Sequence, residues 1–365
     1  MKHGLVIGKF YPPHAGHHLL VQTAAACCER VTVVVMAATC ESIPLQQRVG
    51  WMRDAHARSA NVAVTGITDD VPMDLHSDTV WSQHVALMRA ALAWIGAPPV
   101  TAVFTSEPYG QELARRFNAT AVTLDTARTL VPVSATRIRA DLPGHWGFLA
   151  APVRRSLAVR VVVVGAESTG TTTLSRALQS SLRSRGGAFT ETGWVGEYGR
   201  EYSVHKFARA TAQAQLAGEV PPRFEQLAWR SEEFVDIARE QLRRQREAAA
   251  QGGPVLVCDT DAFATAIWHE RYMGSRDPHV ERIAAEEPGD LYLVTHDRGV
   301  PFEQDGLRDG ESIRGWMTAC FLERLAEKGL PHAVLEGSPQ QRLETALGHV
   351  DALMERSWRF APPLA

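Results

Sequence analysis

The chain has 365 residues, with 38 Lys plus Arg against 41 Asp plus Glu and a formal net charge of -3. That balance excludes a general attraction to nucleic acid or to an anionic membrane surface, and no apolar run is long enough to span a bilayer. The length accommodates two cores, and the five cysteines lack disulfide or zinc spacing, so a reducing, cytoplasmic setting is expected.

The first half alternates strand and helix patterns. Gly4-Leu5-Val6-Ile7-Gly8 reads as a short buried strand. The segment Lys9-Phe10-Tyr11-Pro12-Pro13-His14-Ala15-Gly16-His17-His18 follows, then a helix over 19–30 and a strand over 31–36. Helices near 45–57 and 79–94 and strands at 62–65 and 100–104 continue the alternation. It predicts a parallel sheet with helices on both faces and ligands beyond the carboxyl ends of the strands. His14 and His17 fall at such an end. Two imidazoles three residues apart suit a triphosphate, and Gly16 between them permits close approach. Further on, Val133-Ser134-Ala135-Thr136-Arg137-Ile138-Arg139 offers a capping serine and hydrogen-bond donors from Thr136, Arg137 and Arg139. Thr105 to Gly110, after a strand, is either a pocket wall or a plain turn.

Prolines and glycines around 141–152 mark a boundary, giving domains 1–152 and 153–365. An apolar run over 157–164 then leads into Gly165-Ala166-Glu167-Ser168-Thr169-Gly170-Thr171-Thr172-Thr173 and an amphipathic helix. Strand, glycine-bounded loop and helix form the setting in which backbone N–H groups cradle phosphate. The usual pattern is G-x-x-x-x-G-K-[ST]; Gly165, Gly170 and Thr172 fit, whereas Thr171 stands where the lysine belongs. A long charged helix is expected over 222–250. The buried strand 255–258 ends in Asp259-Thr260-Asp261. Asp259 is a candidate base or Mg²⁺ anchor together with Thr172; Asp261 is either a substrate ligand or a helix cap. Residues 296–310 read as a lid carrying Arg298 and Arg308, with Arg314 just beyond. A lid arginine or Lys206 could supply the charge absent at Thr171.

The tetrad His14-x-Gly16-His17 with Val133-Ser-x-Thr-x-Ile-Arg139 resembles the HxGH nucleotidyltransferase superfamily, with Val133 in place of its isoleucine. The stretch Gly8-Lys9-Phe10-Tyr11-Pro12-Pro13-His14 is similar to nicotinamide-nucleotide adenylyltransferases of the archaeal and NadR type. That resemblance implies nucleotide contacts from Gly8, Lys9 and Phe10 and places Arg48 at the phosphate of nicotinamide mononucleotide. The loop 165–170, Glu197-Tyr198-Gly199-Arg200-Glu201 and Asp259-Thr260-Asp261 resemble the kinase half of NadR-type proteins. The resemblance spans nearly the whole chain. It implies an α/β protein in which a Rossmann-like HxGH nucleotidyltransferase precedes a P-loop kinase-like domain, acting in NAD biosynthesis. The first half would adenylylate nicotinamide mononucleotide and the second would phosphorylate ribosylnicotinamide. It further implies ATP and Mg²⁺ as cofactors, His14, His17, Arg139 and Asp259 as catalytic residues, and Glu197, Tyr198, Arg200, Asp261 and Arg308 at the substrate. Small molecules are the expected partners, without nucleic acid or membrane, and a homo-oligomer stays open. Two alternatives remain: a pantetheine-phosphate adenylyltransferase fused to dephospho-coenzyme A kinase, and a nucleotide sensor with an inactive kinase half.

Overall fold

The computed structural model describes residues 1–304 and 310–364. The chain divides into two compact units: Met1–Arg154 together with the residues from Trp358 onward, and Arg155–Ser357.

In the first unit, strands β1 (His3–Gly8), β2 (Arg30–Ala37), β3 (Val62–Thr68), β4 (Ala102–Thr105) and β5 (Thr120–Thr123) form a parallel sheet in the order β3-β2-β1-β4-β5. Both faces are covered, which explains the unbroken apolar strands. Val6, Val33 and Val35 join Leu20, Val21, Val49 and Met52 from α1 (Ala15–Cys27) and α2 (Leu45–Ala55). Leu5, Val34 and Met36 point the other way, to Trp81, Val85, Met88 and Leu113 from α3 (Asp78–Trp94) and α4 (Gly110–Phe117). Period-two alternation therefore loads two separate cores from the same strands. The chain winds outward from β1 on one side and then, through β4, on the other, so the crevice at the carboxyl end of β1 is a topological switch point. The short helices α5 (Ala135–Ala140) and α6 (Ala151–Leu157) close this part of the chain.

The second unit holds β6 (Val159–Gly165), β7 (Gly193–Val195), β8 (Val255–Asp259), β9 (Leu291–Thr295) and β10 (His332–Leu335), in the parallel order β10-β9-β6-β8-β7. Its main helices are α7 (Thr171–Arg183), α8 (Tyr198–Ala217), α9 (Ser231–Gln251), α10 (Ala262–Met273), α11 (Pro278–Ala284), α12 (Arg314–Glu327) and α13 (Pro339–Ser357).

Two expectations are corrected, and one helix was not anticipated. The helix expected over 222–250 begins only at Ser231, where Glu233 caps the later start by accepting from Arg230 N at 2.9 Å. Helix α8 precedes it and lacks an apolar stripe: Ala214 is its only fully buried residue among those described. The residues past Ser357, assigned by sequence to the second domain, belong with the first unit. They are held there by polar contacts from Lys9, Tyr11 and Ser42.

Candidate functional site

Each unit carries one candidate site at the carboxyl end of its central strand. In the first, His14 is the N-cap of α1, and its Nδ1 accepts from Gly16 N at 3.2 Å. His17 Nδ1 in turn accepts from His14 N at 3.2 Å. A neutral ring that accepts at Nδ1 carries its proton at Nε2, so both imidazoles present an N–H donor. Burial, aided by neighbouring cations, pushes His14 down to about 3 and His17 well below the usual 6.5. The ring centroids are 3.8 Å apart, and Phe10, in the left-handed region at φ 48°, sets its ring edge-on to His17 at 4.8 Å. At Gly16 an added Cβ would stand 3.1 Å from the His14 ring, so the space there is used by His14 itself. A Cβ on Gly8 would likewise crowd Phe10, at 3.3 Å.

Lys9 Nζ lies 3.3 Å from Glu41 Oε1. Arg139 reaches the same loop: its Nη1 donates to Tyr11 O at 2.6 Å, and its Nη2 donates to Thr136 Oγ1 at 3.3 Å. Ser134 caps α5 by accepting from Arg137 N at 3.3 Å, while the Arg137 side chain turns to Pro132 O at 3.4 Å. Arg48 departs from expectation. It is fully buried, and its guanidinium donates to Ile43 O, Lys9 O and Glu41 Oε2. Those bonds make Arg48 a brace for the loop rather than a ligand open to a substrate phosphate.

Sequence reasoning missed a cavity beside this loop. Ile7, Met36, Trp81, Met88 and Tyr109 line it together with Lys9, Asp69, Asp74 and His84. Asp69 Oδ2 is 2.7 Å from His84 Nδ1, and His84 Nε2 is buried without a hydrogen-bond partner. The two residues are fifteen apart, and neither forms a motif that could have revealed the pair.

In the second unit the loop after β6 is closely built. A Cβ on Gly165 would meet Thr295 Oγ1 at 2.2 Å, so only glycine fits between β6 and β9. Thr169 Oγ1 bonds Ala166 O and Thr295 Oγ1, both at 2.7 Å. Ser168 (φ 58°) and Gly170 (φ 88°) take left-handed turns, and Gly170 starts α7. Ser168 Oγ exchanges bonds with the backbone of Glu303. Glu167 accepts from Arg271 Nη1 at 3.1 Å and from Gly310 N at 2.7 Å. Thr172 Oγ1 donates to Asp259 Oδ2 at 2.5 Å, and Thr171 also bonds the Asp259 carboxyl, which burial pushes up. Thr173 is exposed on the first turn of α7.

The loop opens on a cavity of about 330 Å³ that Glu197, Arg200 and Asp259 also line. Its far wall is aromatic and was not anticipated: Phe224, Trp229, Phe234, Trp268 and Tyr272. Tyr272 lies 5.3 Å from Trp229, and it stacks with Trp268 at 6.4 Å. The i, i+4 spacing of Trp268 and Tyr272 was the available signal.

Other expected ligands are placed elsewhere. Asp261 is buried as the cap of α10, accepting from Ala264 N at 3.1 Å and Tyr292 OH at 2.7 Å, and it lies outside the cavity wall. The Tyr198 ring packs under Arg244 at 4.4 Å, also outside that wall. Lys206 is paired with Glu233 at 2.5 Å. Arg314 donates to Val300 O and Ser168 O, and Arg298 pairs with Glu336. Arg308 lies outside the described residues. Among those described, Arg200 is the cation in the cavity wall beside Thr171.

A family model described as an AAA domain matches residues 160–342. The trifunctional NAD biosynthesis/regulator protein NadR of Salmonella typhimurium LT2 is 22% identical over 342 residues, covering 90% of this chain and 77% of that protein. The protein of the same description from Escherichia coli K12 is 22% identical over 348 residues, covering 91% and 78%. Two crystal structures of NadR share the fold. The complex with NR has TM-score 0.65 at 22% identity, covering 97% of each chain. The complex with NAD and AMP-PNP has TM-score 0.68 at 22% identity, covering 97% of this chain and 96% of that one. The chain thus resembles NadR proteins across nearly its whole length.

Proposed function

The chain belongs to the AAA domain family through residues 160–342, and from that premise, joined to the likeness to NadR, we propose that it is a two-site enzyme of NAD synthesis. The second unit phosphorylates the 5′-hydroxyl of ribosylnicotinamide with ATP. The first unit joins nicotinamide mononucleotide to the AMP moiety of a second ATP and releases pyrophosphate. One observation carries this reading. Each unit sets an anion-handling loop at the carboxyl end of its central strand, beside a cavity walled by aromatic side chains.

In the first unit, the attacking oxygen is the mononucleotide phosphate and the electrophile is the α-phosphorus of ATP. His14 and His17 donate Nε2–H to the non-bridging oxygens as charge develops, and Arg139 adds a cation. Lys9, Ser134, Thr136 and Arg137 hold the triphosphate. The pyridine ring fits the small cavity against Trp81, with His84 Nε2 available to the carboxamide. In the second unit, the loop from Gly165 to Thr173 takes the donor ATP. The cationic pyridinium of ribosylnicotinamide suits the aromatic wall through cation–π attraction. Asp259 accepts the proton of the hydroxyl as it attacks the γ-phosphorus. Glu197 and Arg200 line the same cavity, and Arg200 supplies the positive charge that Thr171 cannot. Thr172 Oγ1 and Asp259 offer the hard oxygen donors that Mg²⁺ takes, and a bound Mg²⁺ would offset phosphate charge there.

Product analysis tests both sites. The intact protein with Mg-ATP is given either ribosylnicotinamide or nicotinamide mononucleotide. NAD is expected from both. NAD from the mononucleotide alone overturns the kinase assignment, NAD from neither overturns the nucleotidyltransferase assignment, and the absence of both NAD and newly formed mononucleotide overturns the whole reading.

A further inference from the structure

The residues after Ser357 lie on the first unit and grip Tyr11, which is 1% exposed and sits inside the His14 loop. The Tyr11 hydroxyl donates to Ala361 O at 2.9 Å, lies 2.7 Å from Ser42 Oγ and accepts from Ser42 N at 3.0 Å. Ala361 N donates to Ser42 Oγ at 2.6 Å, which closes a ring of polar contacts. Phe360 meets the Tyr11 ring edge-on at 6.1 Å. The Arg139 guanidinium lies over the Tyr11 ring at 4.8 Å while bonding the Tyr11 carbonyl. Lys9 Nζ donates to Leu364 O at 2.5 Å.

We propose that residues 358–364 are a positioning strap for nucleotidyl transfer: through Tyr11 they seat Arg139, and through the Leu364 carbonyl they hold Lys9. This role rests on the reading of the first unit given above. The strap contacts described above fall on Lys9, Tyr11 and Ser42, so the strap acts on the orientation of the cations. Without it the Tyr11 hydroxyl loses Ala361 O and Ser42 Oγ loses the Ala361 N–H, so the platform under Arg139 is held only by Ser42 and the Arg48 guanidinium and is less firmly seated. A donor displaced by about 1 Å costs on the order of 100-fold in rate.

The test compares the intact chain, a chain ending at Ser357, Arg139→Lys, and the two changes combined. Steady-state NAD formation from nicotinamide mononucleotide gives kcat and KM separately. ATP binding and thermal unfolding report on folding. Truncation is expected to lower kcat about 10- to 100-fold and to leave KM for the mononucleotide within about threefold. On the Arg139→Lys background the same truncation is expected to cost clearly less than in the wild-type chain, because the Tyr11 arm is already lost and only the Lys9 contact with Leu364 O remains to be removed. If the truncated chain does not fold, Phe360→Ala and Ser42→Ala in the full-length protein carry the test, with smaller losses in kcat that are absent on the Arg139→Lys background. Unchanged kcat, or equal losses on both backgrounds, overturns the strap. An intact chain that forms no NAD overturns the nucleotidyltransferase assignment together with it.

Discussion

At the scale of residues, the two imidazoles of the first unit are held uncharged. Their Nδ1 atoms are taken by backbone N–H groups, and burial disfavours the imidazolium. Their contribution is directional donation in a desolvated place. His17→Ala is therefore expected to lower kcat for nucleotidyl transfer by about 10²–10³ while phosphorylation of ribosylnicotinamide continues; equal loss of both activities would contradict separate sites. His14, Gly16, His17 and the loop from Gly165 were legible in the sequence because their geometry is local: spacing alone puts them at a strand end. Arg48 lies elsewhere than expected, and of the two readings of Asp261 the helix cap is the one the fold uses, for the opposite reason. Their partners, Glu41 and Ile43 for one and Tyr292 for the other, come from the folded surroundings. Asp69 and His84 were invisible because neither residue type is informative alone.

At the scale of elements, Asp261 decides where α10 begins. Its two carboxyl oxygens satisfy the Ala264 N–H and the Tyr292 hydroxyl. Asp261→Ala removes the cap and strands a buried phenol, so a loss of about 2–4 kcal/mol from the second unit is expected in chemical denaturation. A loss below about 1 kcal/mol would show that water replaces both bonds. The helices themselves were read with mixed success, for a physical reason. An apolar stripe announces α3 and α7, whereas α8 buries too little to show a period. Polar side chains of α9 meet it instead, Gln241 at Tyr198 N, Glu233 at Tyr202 and Lys206, and Arg244 at Glu201, and the sequence does not display these partners locally.

At the scale of the whole molecule, the buried histidines of the first unit and the buried aspartates of the second carry opposite proton linkage. Glu201, Glu233, Glu240, Asp277, Glu281 and Glu287 of the second unit are held low and lose their contribution only as pH falls through the carboxylate range. In the first unit, burial lowers His14 to about 3 and His18 to about 4, and it lowers His17, His56 and His3 as well. The unfolded chain then binds more protons below the usual 6.5, so this unit loses stability as pH falls from 6.5. In the second, burial raises Asp261 to about 6 and also raises Asp259 and Asp290. There the folded state binds more protons between the usual 3.8 and about 6, a contribution that strengthens as pH falls below 6 and is lost as pH rises through it. Calorimetric scans at pH 7.5 and pH 5 are expected to show the transition of the first unit moving down more than that of the second. Parallel movement of both would contradict this assignment. The two-unit plan was visible in the sequence, since strand-helix alternation restarts after the proline and glycine cluster. The return of residues 358–364 to the first unit was not, because a short irregular segment carries no periodic signal.

The inward lone pairs of His14 and His17 reach further than charge. A ring nitrogen already accepting a backbone N–H has no electron pair to offer phosphorus, and the opposite nitrogen carries the proton. Neither imidazole can become a phosphoryl or adenylyl carrier. Under the proposed chemistry no phosphohistidine accumulates, the mononucleotide attacks ATP in a single displacement, and a stereochemically labelled α-phosphorus leaves with its configuration inverted.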